Sequence, residues 1–234
     1  MRRTNSEDQE IVYRLVKREI IRTEDGSTTI RLAEWDECYH STHGAIQEAY
    51  HVFIKNGLSQ FKGKPVSVLE IGFGTGLNAF ITLLESKNYG KIDYIGVEAY
   101  PVSANEIGQM NYVSELNADE YNAGFLLMHE TDWEKEIPIT DNFTLTKRKI
   151  FFDEIDYKNK FDLIYFDAFG FRVQPELWRV EIFRLMYEAL KKGGILTTYA
   201  ARGIIKRNMI EVGFRVEKLP GPPGKREMMR AFKE

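Results

Sequence analysis

Apolar residues recur along this chain with two periods, and the switches between them mark out its elements. Residues 11 to 34, IVYRLVKREIIRTEDGSTTIRLAE, alternate β-branched and polar positions on either side of Asp25-Gly26, which predicts two strands joined as a hairpin. Over 43 to 58, HGAIQEAYHVFIKNGL, Ile46, Ala49, Tyr50, Phe53 and Ile54 fall on one helical face, with Gly57 as the stop. From Pro65 onward strands and helices take turns. PVSVLEI, KIDYIGVEAY, FTLTKRKIFF, KFDLIYFDAF and GGILTTYAA read as strands; LNAFITLLES, SANEIGQMNYVSEL, ELWRVEIFRLMYEAL and RGIIKRNMIEVGF read as helices. VEKLP and REMMRAF close the chain as late antiparallel strands. This alternation predicts an α/β fold, a mostly parallel sheet covered by helices on both faces. Residues 1–60 are expected to form an N-terminal hairpin and helix extension, and residues 61–234 the main domain.

Composition narrows the class only a little. A hydrophobic fraction of 43% and a charged fraction of 29% are those of an ordinary globular protein. Cys38 is the single cysteine, which excludes an intrachain disulfide and any cysteine cluster for zinc. The first twenty residues carry acidic and polar side chains where a signal peptide needs an apolar run, and no apolar stretch approaches the roughly 20 residues of a membrane span. A soluble, cytoplasmic protein that does not engage the membrane is the expectation. Thirty-two basic against 35 acidic residues give a formal charge of −3, yet the conspicuous basic clusters (Lys147-Arg148-Lys149, Lys191-Lys192, Arg202 with Lys206-Arg207, Lys225-Arg226 with Arg230) lie in the C-terminal half. If they share one face they form a footprint for RNA; if not, they are solvated surface.

The most informative stretch is VLEIGFGTGLN, where a buried strand runs into a loop of Gly72, Phe73, Gly74, Thr75 and Gly76 and then into a helix. Such glycines let the backbone approach a ligand closely, and the helix start presents unpaired N–H groups. A dinucleotide fingerprint requires a sixth-position glycine, but counting from Gly72 that position is Leu77; the Gly-Lys-Ser/Thr ending of a phosphate loop is absent as well. Glu70, just before the loop, would repel a pyrophosphate but accept hydrogen bonds from a ligand ammonium. Glu98, at the end of the next strand, is placed to hold both hydroxyls of a ribose. Together these point to S-adenosyl-L-methionine, with Asn78 in the first helical turn either touching the ligand or capping the helix. Asp167 emerges from the central strand FDLIYF at the ligand edge, where a carboxylate can orient an amine and accept its proton; the plainer reading is a turn or cap. Phe169 and Phe171 either wall the site or pack. Tyr39 and His43 are substrate-side candidates, because the segment before the first main strand is placed to close over the site. His40, His43, His51 and His129 have no partners at metal-ligand spacing, so no metal site is expected.

GFGTGLN at 72–78, DAF at 167–169 with Pro175 and Trp178 downstream, and KREM at 225–228 together resemble the methyltransferase family that completes 5-methylaminomethyl-2-thiouridine at the tRNA wobble position, known as a free protein or as the N-terminal domain of a bifunctional enzyme. The resemblance covers nearly all of residues 34–232, and GAIQEAYHVF is similar to the family segment whose glutamate is matched by Glu48. It implies a Rossmann-like class I S-adenosylmethionine-dependent methyltransferase fold, with Asp167 beside the substrate aminomethyl group. It also implies that Lys225 and Arg226, with Arg202 on the same side, approach the tRNA anticodon region. Departing from many relatives, Ile150-Phe151-Phe152 precedes Asp153, which leaves the residue that holds the adenine open. No fused FAD-dependent domain is expected, so this chain would carry out methyl transfer alone. The other readings are a small-molecule amine methyltransferase or aminopropyl transferase, and a non-catalytic RNA-binding domain; the last leaves Glu70 and Glu98 without a shared purpose.

Overall fold

The computed structural model describes residues 16–234, so positions 11–15 of the expected hairpin lie outside the described residues. Strands β1 (Arg18–Arg22) and β2 (Thr28–Leu32) pair antiparallel around Asp25-Gly26, with Gly26 at a φ of 89°, and a two-residue β3 (Glu37–Cys38) adds to β2. Asp25 holds this turn through the Thr23 hydroxyl and the Ser27 N–H, and its second oxygen accepts from the Gln47 N–H at 3.0 Å. A hairpin turn thus caps the helix Ala45–Ala49 from outside that helix.

The predicted 43–58 helix exists in altered form: α-helical turns give way to a π-helical segment, Tyr50–Lys55. Val52, Phe53 and Ile54 are all buried there, three consecutive positions that a regular α-helix would spread around its circumference.

The main sheet comprises β4 (Val66–Ile71), β5 (Ile92–Val97), β6 (Glu136–Thr140), β7 (Phe143–Arg148), β8 (Phe161–Phe166), β9 (Leu190–Thr198), β10 (Arg215–Pro220) and β11 (Glu227–Phe232). Its order is β10-β11-β9-β8-β4-β5-β7-β6. The five middle strands run parallel, while β6 and β11 are antiparallel to their neighbours. This is the expected Rossmann-like class I arrangement, with the N-terminal hairpin in place. Among the described residues no helix is long and apolar enough to cross a membrane.

Two apolar layers cover the sheet. The first joins the hairpin (Ile30, Leu32), the π segment (Val52, Phe53) and the helices Leu77–Glu85 and Asn122–Glu130; the second is built on Trp178, Phe183, Met186, Ile205 and Met209. Each large apolar side chain buried in this way contributes about 1.5–3 kcal/mol. Ile30 and Leu32 share a layer with Val68 and Phe80, so the extension packs continuously with the main sheet.

Several boundaries differ from the sequence reading. SANEIGQMNYVSEL is two short helices, Ala104–Ile107 and Tyr112–Glu115, interrupted at Gly108. ELWRVEIFRLMYEAL splits into a 3-10 turn, Pro175–Trp178, and the helix Val180–Ala189. Strand β7 stops at Arg148, short of Phe151-Phe152, and β9 begins at Leu190, ahead of the Gly193-Gly194 pair. Strand β6 and the helix Asn122–Glu130 have no counterpart in the sequence reading; that helix exposes Leu126 and Leu127 and buries Phe125 and Met128, a weakly amphipathic pattern.

Candidate active site

Strand periodicity brings the acidic residues together. Val66, Val68 and Glu70 project to one face of β4 while Ser67, Leu69 and Ile71 project to the other. Glu70 pairs with Gly96 on one side and Tyr165 on the other, so Glu98 and Asp167, each two residues further along its neighbour, project to the same face at the same edge. The backbone there is continuous: the Asp167 N–H donates to the Ile71 carbonyl at 2.9 Å, and the Gly72 and Phe73 N–H groups donate to Val97 at 3.0 Å.

The glycines of the loop have separate causes. Gly72, Gly74 and Gly76 have φ values of 89°, 51° and 73°, all in the left-handed region. A Cβ on Gly72 would stand 2.6 Å from the Asp167 carbonyl oxygen; one on Gly76 would stand 2.8 Å from His129 Nε2. Side chains are therefore excluded by the Asp167 loop on one flank and by the helix Asn122–Glu130 on the other. His129 itself spans Phe125 and Thr75, with Nδ1 and Nε2 at 2.8 and 3.0 Å from their carbonyl oxygens, and burial lowers its pKa.

Asn78 is the hub of the polar interior. Its side-chain amide donates to Glu70 Oε1 at 2.9 Å and to Asp167 Oδ2 at 2.8 Å, and it does not cap its helix. The remaining acceptors, Glu70 Oε2 and Asn78 Oδ1, are buried with no hydrogen-bond partner among the described residues. Burial pushes the Glu70 carboxyl well above the usual range, against the Asn78 hydrogen bond, and the Asp167 charge pushes the same way. Burial, reinforced by the Glu48 carboxylate, pushes Asp167 up to about 7, opposed by the Asn78 hydrogen bond and the Lys225 ammonium. For Glu98, burial raises the pKa while N–H donors from Tyr100 at 3.0 Å and Gly74 at 3.1 Å pull it down. Each Glu98 oxygen has a recorded N–H donor and a second lone pair to offer.

Among the substrate-side candidates, Tyr39 lies 3.2 Å from where a Cβ on Gly74 would stand and edge-on to Phe169 at 5.0 Å, so it touches both loops. His43 packs against Gly224 in the turn before KREM and pairs with Glu24 at 3.0 Å. Lys225 reaches the site, but its ammonium is engaged by Glu48 and lies 3.9 Å above the Tyr199 ring. Arg202 stacks over Phe171 at 5.4 Å, and both Arg202 and Arg226 are exposed. The other histidines disperse, His40 to Thr29 and His51 to the Pro220 carbonyl, and no group of three His, Cys, Asp or Glu among the described residues is placed to hold a metal.

Two contributors, Tyr199 and Arg172, escape the sequence reading, and a third, Trp178, enters it only through the resemblance. The Tyr199 hydroxyl donates to the Ala168 carbonyl at 2.8 Å, Trp178 Nε1 donates to the Phe169 carbonyl at 2.8 Å, and Arg172 donates to the carbonyls of Trp35 and Asp36 at 3.0 and 2.8 Å. They fix the loop that carries Asp167 to β9, to the 3-10 turn and to the hairpin. Trp178 stood out only through its place in the DAF resemblance; no local pattern marks Tyr199 or Arg172.

Residues 130–234 match the model of a family described as S-adenosyl-L-methionine-dependent methyltransferase. The tRNA 5-methylaminomethyl-2-thiouridine biosynthesis bifunctional protein MnmC of Leptospira interrogans is 29% identical over 215 residues, covering 84% of this chain and 32% of that protein. The protein of the same name from Campylobacter fetus is 28% identical over 214 residues, covering 86% and 34%. The chain thus spans about one third of the length of these curated relatives. Among solved structures, MNMC2 from Aquifex aeolicus superposes with a TM-score of 0.73 at 22% identity, covering 100% of this chain and 79% of that one. Spermidine synthase from Thermotoga maritima gives 0.55 at 16%, covering 94% and 70%, and shares the fold. With the architecture described above, these matches make the chain similar over residues 130–234 to an S-adenosyl-L-methionine-dependent methyltransferase family, and over most of its length to about one third of the 5-methylaminomethyl-2-thiouridine biosynthesis proteins.

Proposed function

We propose that this protein methylates the primary amine of 5-aminomethyl-2-thiouridine at the tRNA wobble position, giving 5-methylaminomethyl-2-thiouridine. The observation that carries the reading is Asp167, a buried carboxyl at the ligand edge that burial pushes up to about 7, beside a glycine loop suited to S-adenosyl-L-methionine.

The residues fit that cofactor. Glu70 Oε2 and Asn78 Oδ1 are unpartnered acceptors that an ammonium would satisfy, and its arrival would favour the ionised form of Glu70. Glu98 has lone pairs for two ribose hydroxyls, and the loop of Gly72, Phe73, Gly74, Thr75 and Gly76 brings the backbone close. When bound, S-adenosyl-L-methionine supplies an electrophilic sulfonium methyl group.

The acceptor amine must be neutral to attack, whereas an alkylammonium has a pKa of roughly 10. Asp167, half ionised near pH 7, both orients the ammonium and takes a proton from it. Orientation is the larger contribution, because aligning donor and acceptor supplies much of the rate in a direct transfer. Tyr39 and Phe169 would wall the base, and Arg202 and Arg226, on the exposed rim, would meet backbone phosphates and position the RNA without reading its sequence. His43 and Lys225 would contribute by holding the turn that carries Arg226. Residues 61–234 would form the catalytic domain, with the hairpin of the 1–60 extension closing over it.

The test is incubation with S-adenosyl-L-methionine and tRNA bearing the aminomethyl intermediate, followed by digestion and weighing of the nucleosides. A gain of one methyl group on the wobble nucleoside is expected; none overturns the assignment. A parallel reaction with a free diamine separates the small-molecule reading, since methylation of the diamine without the RNA would replace the proposed substrate.

A further inference from the structure

Glu48 and Lys225 lie 177 positions apart in the chain and form an ion pair at the edge of the site. Both ends are tied down. Glu48, 7% exposed on the helix Ala45–Ala49, gives one oxygen to the Lys225 ammonium and accepts the Ser41 N–H at 2.9 Å with the other. Lys225 rests 3.9 Å above the Tyr199 ring, whose hydroxyl holds the carbonyl of Ala168, the residue after Asp167. A mobile surface ion pair would have little influence on its surroundings; this one is clamped by a backbone donor, an aromatic face and the Asp167 loop itself.

We propose that the Glu48–Lys225 pair is the electrostatic control on Asp167: the Glu48 anion strengthens Asp167 as a proton acceptor, and the Lys225 cation limits that strengthening. The inference rests on the methyl-transfer reading for the source of the proton. In that step an N–H bond of the substrate ammonium breaks, its electron pair stays on nitrogen, and an O–H bond forms on Asp167. Other groups facing Asp167 are Glu70 and Asn78 from β4 and its following helix, Tyr94 from β5, and Tyr199 after β9; Glu37 on β3 and His40 face the Lys225 side. Tyr94 and Tyr199 are pushed up by burial and stay neutral, and burial lowers His40 to about 4, so it too is uncharged near neutrality. Burial likewise raises the Glu70 carboxyl well above the usual range, which weakens its charge on Asp167. Glu48 and Lys225 are therefore the ionised partners with the most leverage on Asp167, and they act with opposite signs.

The experiment is a carbon-13 carboxyl NMR titration of Asp167 in the full chain without ligand, alongside the pH profile of kcat. Wild type should titrate near 7. Glu48→Gln should move the midpoint down by about half a pH unit or more, Lys225→Met should move it up, and Lys225→Arg should restore it. The acid limb of kcat should move in the same directions. Should Glu48→Gln fail to fold, the contrast between Lys225→Met and Lys225→Arg decides alone. Midpoints that stay put, or that move the same way in Glu48→Gln and Lys225→Met, overturn the proposal, as does lost activity with an unmoved acid limb. Opposite shifts in a protein inactive on aminomethyl tRNA would sustain the charge control and remove the substrate assignment; unmoved midpoints in an active enzyme would do the reverse.

Discussion

Asp162 and Asp167 stand at opposite ends of the same short stretch of β8, and they differ in almost every respect that matters to function. Burial presses both carboxyls upward. At Asp162 this is outweighed by the Ser67 N–H at 2.8 Å, the Ser67 hydroxyl at 2.6 Å and the Lys191 ammonium at 2.9 Å, so its pKa ends below the usual value. Asp167 has the Asn78 amide and a more distant cation, and it ends at about 7. The two residues even project to opposite faces, five positions apart in a period of two. One end of the sheet satisfies its charges and is stabilised by them; the other leaves acceptors unpaired, a cost that a ligand would relieve.

The largest expected break in this contrast is Asp167→Asn. Turnover should fall by about 10²–10⁴-fold with cofactor affinity nearly intact, as steady-state kinetics and calorimetry would show. Stability should move the other way. Because the folded pKa of Asp167 is raised, the native state holds a proton that the unfolded chain releases, so wild type loses stability as pH rises from about 4 to 7. The Asn variant escapes that loss and should be more stable at pH 8 by about 1 kcal/mol or more in urea unfolding.

Gly72→Ala comes next. Its Cβ would be forced against the Asp167 carbonyl at 2.6 Å with φ at 89°, so cofactor affinity and turnover should both drop by about tenfold or more. Asp162→Ala tests the opposite end: kcat should stay within about twofold, while Tm falls by about 3–8 °C as Ser67 and Lys191 lose their partner. Since Asp162 is lowered on folding, its contribution is present above about pH 4 and is lost as pH falls below that, so the variant and wild type should converge in acid. Smallest is Arg202→Ala, expected to weaken tRNA binding a few-fold and to reduce the salt slope by about one, read by filter binding at several salt concentrations.

How much of this was legible in the sequence depended on whether the cause was local. Gly72, Gly74 and Gly76 follow a buried strand and open a helix, so the loop and its flanking Glu70 and Glu98 could be read from spacing alone. Asp167 was visible because five of the six residues before it are apolar or aromatic and it ends the run. What could not be read depends on distant packing. Asn78 offered a cap or a ligand contact, and instead bridges two carboxylates because β4 and β8 are neighbours. Lys225 read as an RNA contact because nothing in KREM indicates that Glu48 lies beside it. The π segment at Tyr50–Lys55 buries three consecutive side chains, a pattern that a helical period cannot predict.

The most direct test of the contrast is a calorimetric titration of S-adenosyl-L-methionine into the wild-type protein, repeated in two buffers of different ionisation enthalpy. Saturable one-site binding with net release of a proton is expected, because burial raises the Glu70 carboxyl in the free protein and an arriving ammonium pulls it back down. Absence of saturable heat, or binding with the same heat in both buffers, would contradict the account of this edge of the sheet as a cofactor site built on unsatisfied carboxyls.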